Sequence, residues 1–510
     1  MAKRTAVIDI GSNSIRVAVY EKSSRYGFYL IYETKSKARL SEGTYQNGGK
    51  LQEIPMQKTF SALRDFLSII RNLKCTKTLC VATSALRDAP NRSVFINRVK
   101  KELSLSIKVI DGKKEAYYTA VAVNNLLYRQ KSAIAVDTGG GSTEFALLQD
   151  GNIVDVLSLK IGTIRIKELF SDGEDGIKKA KEYIRKELSK LPANFISKNI
   201  IGIGGSARAI SKAVMSNEYP INTLHAFEYS VKENMDFIKN IYNCSIDDLK
   251  RYNIKKDRYD TIREGALILY EILNYFNSKK VITSGVGVRE GVYLCDLLRN
   301  SNHKFPHNFN VDVRSLEDRF SVFSKVDTQN AVISKKIFDT LLPLHSLDQK
   351  YKNLLVIAAK LSSIGTKVNF FSNNQIAYNM ILESLNYGIS HKDKVLIALT
   401  VKYQGKKLLS KKDLKFYSSL LPDEKVLNTL SFILALAKCL TKNMQKQKFD
   451  FILEDKILKI LTQNRLYLTE ECLNKIENPF EIKLFLENNM DTSKVSYVKT
   501  CLSPSKPFRL

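Results

Sequence analysis

One six-residue pattern occurs twice: Asp9-Ile-Gly-Ser-Asn-Ser recurs as Asp137-Thr-Gly-Gly-Gly-Ser. Each copy follows a short apolar run and precedes another. The surroundings repeat as well. In the first copy, strands are predicted at 6–10, 15–20, 28–33, 79–83 and 107–110, with helices near 55–73, 92–103 and 115–127. In the second, strands are predicted at 133–137, 143–148, 154–159, 199–203 and 281–283. Its helices fall near 173–191, 207–215, 231–242 and 259–276. Short apolar runs bounded by Gly, Pro and polar clusters, alternating with helical periodicity, read as α/β structure. An internal repeat of this size implies two copies of one domain facing each other, with a ligand in the cleft between them.

From about residue 312 glycine becomes scarce and helical periodicity dominates, over 313–323, 328–342, 348–362, 374–385, 392–403 and 424–443. The expected divisions are 1–128, 129–305, an all-helical 312–445 and a small α+β segment at 446–510, with a linker near 300–312. A chain of 510 residues has room for three or four domains at roughly 100–200 residues each. No apolar stretch reaches the ~20 residues needed to span a bilayer, and Asp9 interrupts any apolar signal core. A cytoplasmic protein without a membrane partner is expected. Seven cysteines without a Cys-x-x-Cys pair argue against a disulfide framework or structural zinc. The formal charge of +28 favours a polyanionic partner; a general preference for lysine explains it equally well.

The motifs that could carry chemistry sit at strand ends. Asp9 lies where a carboxylate could hold a metal or orient water, and the Gly11 turn can form an anion-binding nest; an ordinary hairpin is the alternative. In Asp137–Glu144 three glycines let backbone approach phosphate. Ser142 and Thr143 offer hydroxyls, and Asp137 and Glu144 could coordinate a hard cation such as Mg²⁺. Gly202-Ile-Gly-Gly-Ser-Ala-Arg208 runs from strand to helix, a ready anion site or a packing turn. Arg289 and Glu290 read as an internal pair that fixes the Thr283–Gly291 turn. Arg87, at a strand's carboxyl end, could clamp phosphate. Glu115, in the first turn of a helix, could take a proton from water or serve the helix dipole. Taken together, these loops could converge on one crevice outside strand carboxyl ends.

With these residues in this order, residues 1–300 resemble the exopolyphosphatase and guanosine pentaphosphate (pppGpp) phosphohydrolase family. The carrying motifs are Asp9–Ser14, Thr83-Ser-Ala-Leu-Arg87, Gly112–Glu115-Ala, Asp137–Glu144, Gly204-Gly-Ser206 and Arg289-Glu-Gly291. The resemblance implies an α/β fold of duplicated ribonuclease-H-like (actin-like, sugar-kinase-like) domains, followed by an all-helical HD-like domain. It implies a hydrolase of the stringent response that releases terminal phosphate from inorganic polyphosphate or the 5′-phosphate of pppGpp, with Mg²⁺ (or Mn²⁺), as a homodimer. Glu115 would activate water, Asp137 and Glu144 would serve catalysis and the metal together with Asp9, and Arg87 would contact phosphate. Ser12, Asn13, Ser14, Gly139, Gly140, Gly141, Ser142, Thr143, Gly204, Gly205 and Ser206 would cradle the phosphates.

Two departures from the family pattern matter. Lys114 replaces the first of two adjacent acids. The HD-like domain lacks metal ligands: where histidines belong, the chain reads Leu361-Ser-Ser-Ile-Gly365, Asn373-Asn-Gln-Ile-Ala377 and Lys402-Tyr-Gln404, and His345 and His391 lack ligand neighbours. A metal-free helical domain is expected, which holds a long anion or mediates a dimer. Lys392, Lys394, Lys402, Lys406, Lys407, Lys411, Lys412 and Lys415 crowd it, or simply form a solvated face. The rival readings are an actin-like-fold kinase or ATPase, and a non-catalytic regulator that binds polyanion or nucleic acid. Against the last stand the acids Glu115, Asp137 and Glu144, which repel phosphate unless a metal or reaction needs them, so nucleic acid is not the expected partner.

Overall fold

A computed structural model describes residues 3–170, 174–215, 217–405, 409–463, 466–480, 482–488 and 496–498. It divides into two compact units, 1–309 and 310–510.

The first unit opens with β1 (Arg4–Ile10), β2 (Ile15–Lys22), β3 (Phe28–Ser36), α1 (Glu53–Asn72), β4 (Lys77–Ala82), α2 (Ser84–Asp88), α3 (Arg92–Leu103), β5 (Lys108–Val109) and α4 (Gly112–Leu126). Its sheet order is β3-β2-β1-β4-β5. β1 is central, antiparallel to β2 and parallel to β4. Covered on both faces, it reads as an almost continuous apolar run. Ile8, Ile10, Val17, Leu63, Phe66 and Phe95 lie in the core between this sheet and its helices.

The chain then repeats itself with β6 (Ser132–Thr138), β7 (Thr143–Gln149), β8 (Asn152–Leu159), α5 (Thr163–Leu169), α6 (Glu174–Leu188), β9 (Asn199–Ile203), α7 (Gly204–Val214), β10 (Glu228–Ser230), α8 (Val231–Asn243), α9 (Ile262–Tyr275), β11 (Lys280–Thr283) and α10 (Val288–Leu297). The second sheet runs β8-β7-β6-β9-β11-β10. Apart from its extra edge strand, this is the order of the first sheet, with β6–β7 standing where β1–β2 stand. A second core gathers Val136, Phe145, Ile184, Ile268 and Ile272.

Several expectations need correction. The strand expected at 107–110 has only two residues, Lys108 and Val109. Arg87 is not at a strand end: β4 stops at Ala82 and Arg87 rides on the five-residue α2. α5 was not anticipated. Gly173, the expected start of a helix, lies outside the described residues; that helix is α6. The expected linker to 312 is already helix from Val311.

The second unit comprises α11 (Val311–Phe320), α12 (Ser324–Thr340), α13 (Leu342–His345), α14 (Gln349–Lys360), α15 (Asn373–Ser384), α16 (His391–Lys402), α17 (Lys411–Phe416) and α18 (Glu424–Leu440). After these come β12 (Phe449–Glu454), β13 (Ile457–Thr462), α19 (Tyr467–Leu473), β14 (Lys483–Asn488) and β15 (Ser496–Val498), which form one sheet in that strand order. Against the argument from cysteine spacing, Cys439 of α18 and Cys472 of α19 are joined in a disulfide. The lysines of this unit do not form one face. Lys394 is buried and donates to Asn386 Oδ1 (2.7 Å), and Lys402 pairs with Asp413 (2.5 Å). Lys392, Lys411, Lys412 and Lys415 are exposed, and Lys406 and Lys407 lie outside the described residues. Among the described residues no helix is long and apolar enough to cross a membrane.

Candidate active site

The two hairpin turns and two helix N-termini meet in a pocket of about 150 Å³ in the first unit. In the β1–β2 turn Gly11 N donates to Ser14 O (3.3 Å); in the β6–β7 turn Gly139 N donates to Ser142 O (2.9 Å). The second turn is braced from behind. At the start of α5, Thr163 N donates to Gly139 O (3.0 Å) and Ile164 N to Gly140 O (2.9 Å). Among the described residues the backbone N–H groups of Ser12, Asn13, Ser14, Gly140 and Ser142 have no protein acceptor, although all five residues line the pocket. Such unpaired, convergent amides bind anions. The first residues of α7 (Gly204, Gly205, Ser206) and α10 (Val288, Arg289) add two helix N-termini. Gly204 adopts φ +89°, and a Cβ there would meet Thr138 O and Asp137 Oδ1 within 2.9 Å. Only glycine lets β9 turn so tightly into α7 beside the acid.

The duplicated hairpins carry different charge pairs. Asp9 stands opposite Arg16 across β1–β2, an acid–base pair. At the matching register of β6–β7, Asp137 stands opposite Glu144, an acid–acid pair. Like charges directly opposite across strands are destabilising. Burial pushes the Asp137 carboxyl up to about 6, against the pull of Arg208. Burial and the neighbouring Asp137 push Glu144 up to about 7, although the hydroxyl of Ser158 donates to its Oε1 (2.8 Å). Burial also raises Asp9.

Glu115 is delivered by α4, whose start is fixed by Asp111: its side chain accepts from Lys114 N (2.7 Å). The Glu115 carboxylate lines the same pocket as Asp9, Asp137, Glu144 and both glycine turns. Burial first, then the Glu144 charge, raises it well above the usual carboxylate range, and Arg87 opposes them. Arg87 Nη1 donates to Glu115 Oε2 (2.8 Å) and Nη2 to Ser142 Oγ (3.3 Å). Among the described residues Glu115 Oε1 has no donor.

Three residues expected to touch phosphate do not line the pocket. Arg87 stands behind Glu115 and Ser142. The Thr143 hydroxyl is spent on Ile161 O (2.6 Å). Gly141 O accepts from Arg165 Nε (2.8 Å), and a Cβ at Gly141 would meet Tyr45 and Ser84. Lys114 does not line the pocket either; its ammonium lies 5.2 and 5.1 Å from the Tyr117 and Tyr118 ring centroids.

Four arginines supply the positive charge instead: Arg16, Arg208, Arg258 and Arg289. Burial and the nearby Arg16 and Arg289 lower Arg208 to about 10. Arg289 pairs with Glu33 (2.9 Å) and sits 3.9 Å from Glu290. Glu290 in turn accepts from Gly287 N (2.8 Å) and Tyr20 Oη (2.6 Å). Arg208 and Arg289 lay inside recognised motifs. Arg16 could have been found as the residue opposite Asp9 across the first hairpin, whereas Arg258 ends a short 3₁₀ turn with no local signal.

Two ribonuclease-H-like halves that close buried acids and unpaired amides over one pocket define a protein of the actin-like fold. More narrowly, the chain belongs to the Ppx/GppA phosphatase family, whose model matches residues 18–300. It is similar to a bifunctional 3-dehydroquinate synthase/phosphatase of Fusobacterium nucleatum, 32% identical over 303 residues, which are 55% of this chain and 44% of that protein. The chain therefore spans less than half the length of that relative. A guanosine-5′-triphosphate,3′-diphosphate pyrophosphatase of Photobacterium profundum is 23% identical over 412 residues, 77% of this chain and 78% of that one. Among solved structures, an Aquifex aeolicus Ppx/GppA family member is 28% identical with a TM-score of 0.51, covering 59% of this chain and 99% of its own. An exopolyphosphatase from Cytophaga hutchinsonii, 22% identical with a TM-score of 0.54, covers 59% of this chain and 100% of its own and shares the fold.

Proposed function

We propose that the chain hydrolyses the terminal phosphoanhydride of inorganic polyphosphate. The observation that carries this reading is the meeting of Glu115 with Asp137, Glu144 and the unpaired amides of both turns in one pocket. The amides and arginines would hold the terminal phosphate, since phosphoryl transfer needs positioning and charge neutralisation above all. Glu115 Oε1, with no donor among the described residues, would accept the proton of the attacking water while Arg87 holds Oε2. Among the described residues the lining contains no aromatic side chain on which a guanine base could stack, which favours an unsubstituted phosphate chain over pppGpp.

The opposed Asp137 and Glu144 fit a divalent cation, which would relieve their repulsion. Among the described residues no three acidic, His or Cys side chains come together as a cage, so the expected set Asp9, Asp137 and Glu144 does not form one. Mg²⁺ suits that arrangement because it takes one or two carboxylates and fills its shell with water and phosphate oxygens. Such a cation would neutralise charge developing on the phosphate oxygens.

The helical unit fits an HD-like domain with a lost metal site. Ser363, Asn373, Asn374 and Gln404, from the three stretches where ligands belong, share one cavity with Asp327 and Lys438. A lysine ammonium among hydroxyls and amides suits no divalent cation.

The test is phosphate release from polyphosphate and from pppGpp with Mg²⁺. Glu115→Gln should keep substrate binding and lose about 10²–10⁴-fold in turnover. Undiminished turnover in that variant would refute the role of Glu115, and faster release from pppGpp would overturn the substrate preference.

A further inference from the structure

The cavity in the helical unit measures about 1050 Å³, ample for a small molecule. Its wall offers donors and positive charge. Asn330, only 2% exposed, accepts from Thr441 Oγ1 (2.7 Å) through Oδ1 and leaves its amide N–H₂ without a partner among the described residues. Asn374 uses Oδ1 twice, for Gln404 Nε2 (2.9 Å) and Asn373 Nδ2 (3.1 Å), and likewise has a free amide N–H₂. Lys438 gives one hydrogen bond, to Gln404 Oε1 (2.9 Å), and burial lowers it to about 8, so it is still charged at neutral pH. Lys442, exposed in the turn that follows α18, lines the same cavity, and its charge opposes that of Lys438. Among the described residues Asp327 is the one acid in the lining, and its Oδ2 already accepts from Ser321 (2.9 Å) and Ser363.

At the same cavity, Phe370 and Phe371 are 67% and 95% exposed and pack edge to face at 5.6 Å. Two adjacent bare phenyl rings give a planar ring a surface on which to stack.

We propose that this cavity is a second ligand site that takes a nucleoside phosphate, with the base on Phe370 and Phe371 and the phosphates on Lys438, Lys442 and the free amides of Asn330 and Asn374. The site is separate from the hydrolytic pocket and does not depend on its chemistry.

The test is calorimetric titration of the full chain with GDP, with inorganic pyrophosphate as the probe that lacks a nucleoside. Phe371→Ala and Lys442→Gln alter exposed side chains and leave the fold intact. Each should weaken GDP binding about tenfold, while phosphate release from polyphosphate stays unchanged. Phe371→Ala should leave pyrophosphate binding untouched. GDP affinity equal to wild type in both variants would place the nucleotide elsewhere and overturn the proposal. So would failure of GDP to bind, or pyrophosphate binding as tightly as GDP.

Discussion

At the scale of single residues, Arg87 shows what motif and geometry each contribute. Its place in Thr83–Arg87 suggested contact with phosphate, but its guanidinium spans Glu115 Oε2 and Ser142 Oγ. It is a positioning residue for the carboxylate that would accept the proton and for the turn that would hold phosphate. Arg87→Ala should therefore lower kcat by about 10²-fold, the cost of a small misplacement, with little change in KM. Arg87→Lys should recover little, because one ammonium cannot reproduce a planar fork. A clamp on phosphate would instead raise KM, so steady-state kinetics on polyphosphate separate the two roles. The sequence made Glu115, Asp137 and Glu144 legible because acids beside glycine turns stand out from their surroundings. It could not reveal that Thr143 spends its hydroxyl on Ile161 or that Arg258 reaches Gly205. Those facts depend on which strand face and which distant turn come together, and no local pattern records them.

At the scale of elements, α4 and α10 both bring side chains to the pocket. A Cβ on Gly291 would run into the Tyr118 carbonyl, so the two helices cross at the closest approach backbone allows. Gly291→Ala must push α4 aside, and α4 carries Glu115. The expected loss is about 1–3 kcal/mol of stability together with reduced kcat, read by urea unfolding and phosphate release; a fully stable variant would show the crossing to be loose. The sequence marked Gly291 only as part of a turn, since a helix crossing has no signature of its own. In the helical unit, α11 is tied to the loop after α15 by Asp312, whose Oδ2 accepts from Asn386 N (2.6 Å) and Tyr387 N (2.7 Å). Burial still pushes its carboxyl up to about 6, despite those bonds and Lys394. A raised folded-state pKa means the folded chain keeps a proton that the unfolded chain has lost. The contribution is complete below about pH 4 and is lost as pH rises through about 6, a swing of about 3 kcal/mol at ~1.4 kcal/mol per pKa unit. Asp312→Asn keeps the acceptor and removes the proton. Wild type minus variant should therefore show Tm falling between about pH 4 and 6; parallel profiles would count against it.

At the scale of the first unit, the duplication that was plain in the sequence becomes two sheets of matching strand order, and what holds them closed lies outside the repeated motifs. Glu168 of α5 accepts from the backbone N–H groups of Gly43 and Tyr45, both at 3.0 Å, so one carboxylate of the second half grips a loop of the first. Arg39 reaches Asp260 (3.1 Å) and Arg165 reaches Asp88 (3.1 Å) across the same divide. Backbone amides cannot be read as ligands from sequence, which is why this clasp was invisible while the glycine turns were not. The pocket is formed by both halves, so only the closed arrangement presents the amides of both turns to one phosphate. Removing the clasp lowers the fraction of molecules ready to bind, and apparent affinity falls by that fraction. Charge-assisted hydrogen bonds contribute about 1.5–3 kcal/mol each, so Glu168→Ala should raise KM for polyphosphate about tenfold or more. Saturating substrate restores closure, so kcat should change little. Glu168→Gln keeps one acceptor oxygen and should fall between the two. Small-angle scattering supplies a reading independent of activity: the alanine variant should expand and then contract when polyphosphate is added. Unchanged KM and unchanged dimensions would show that the halves stay closed through their packed helices alone, with Glu168 a passenger at the seam.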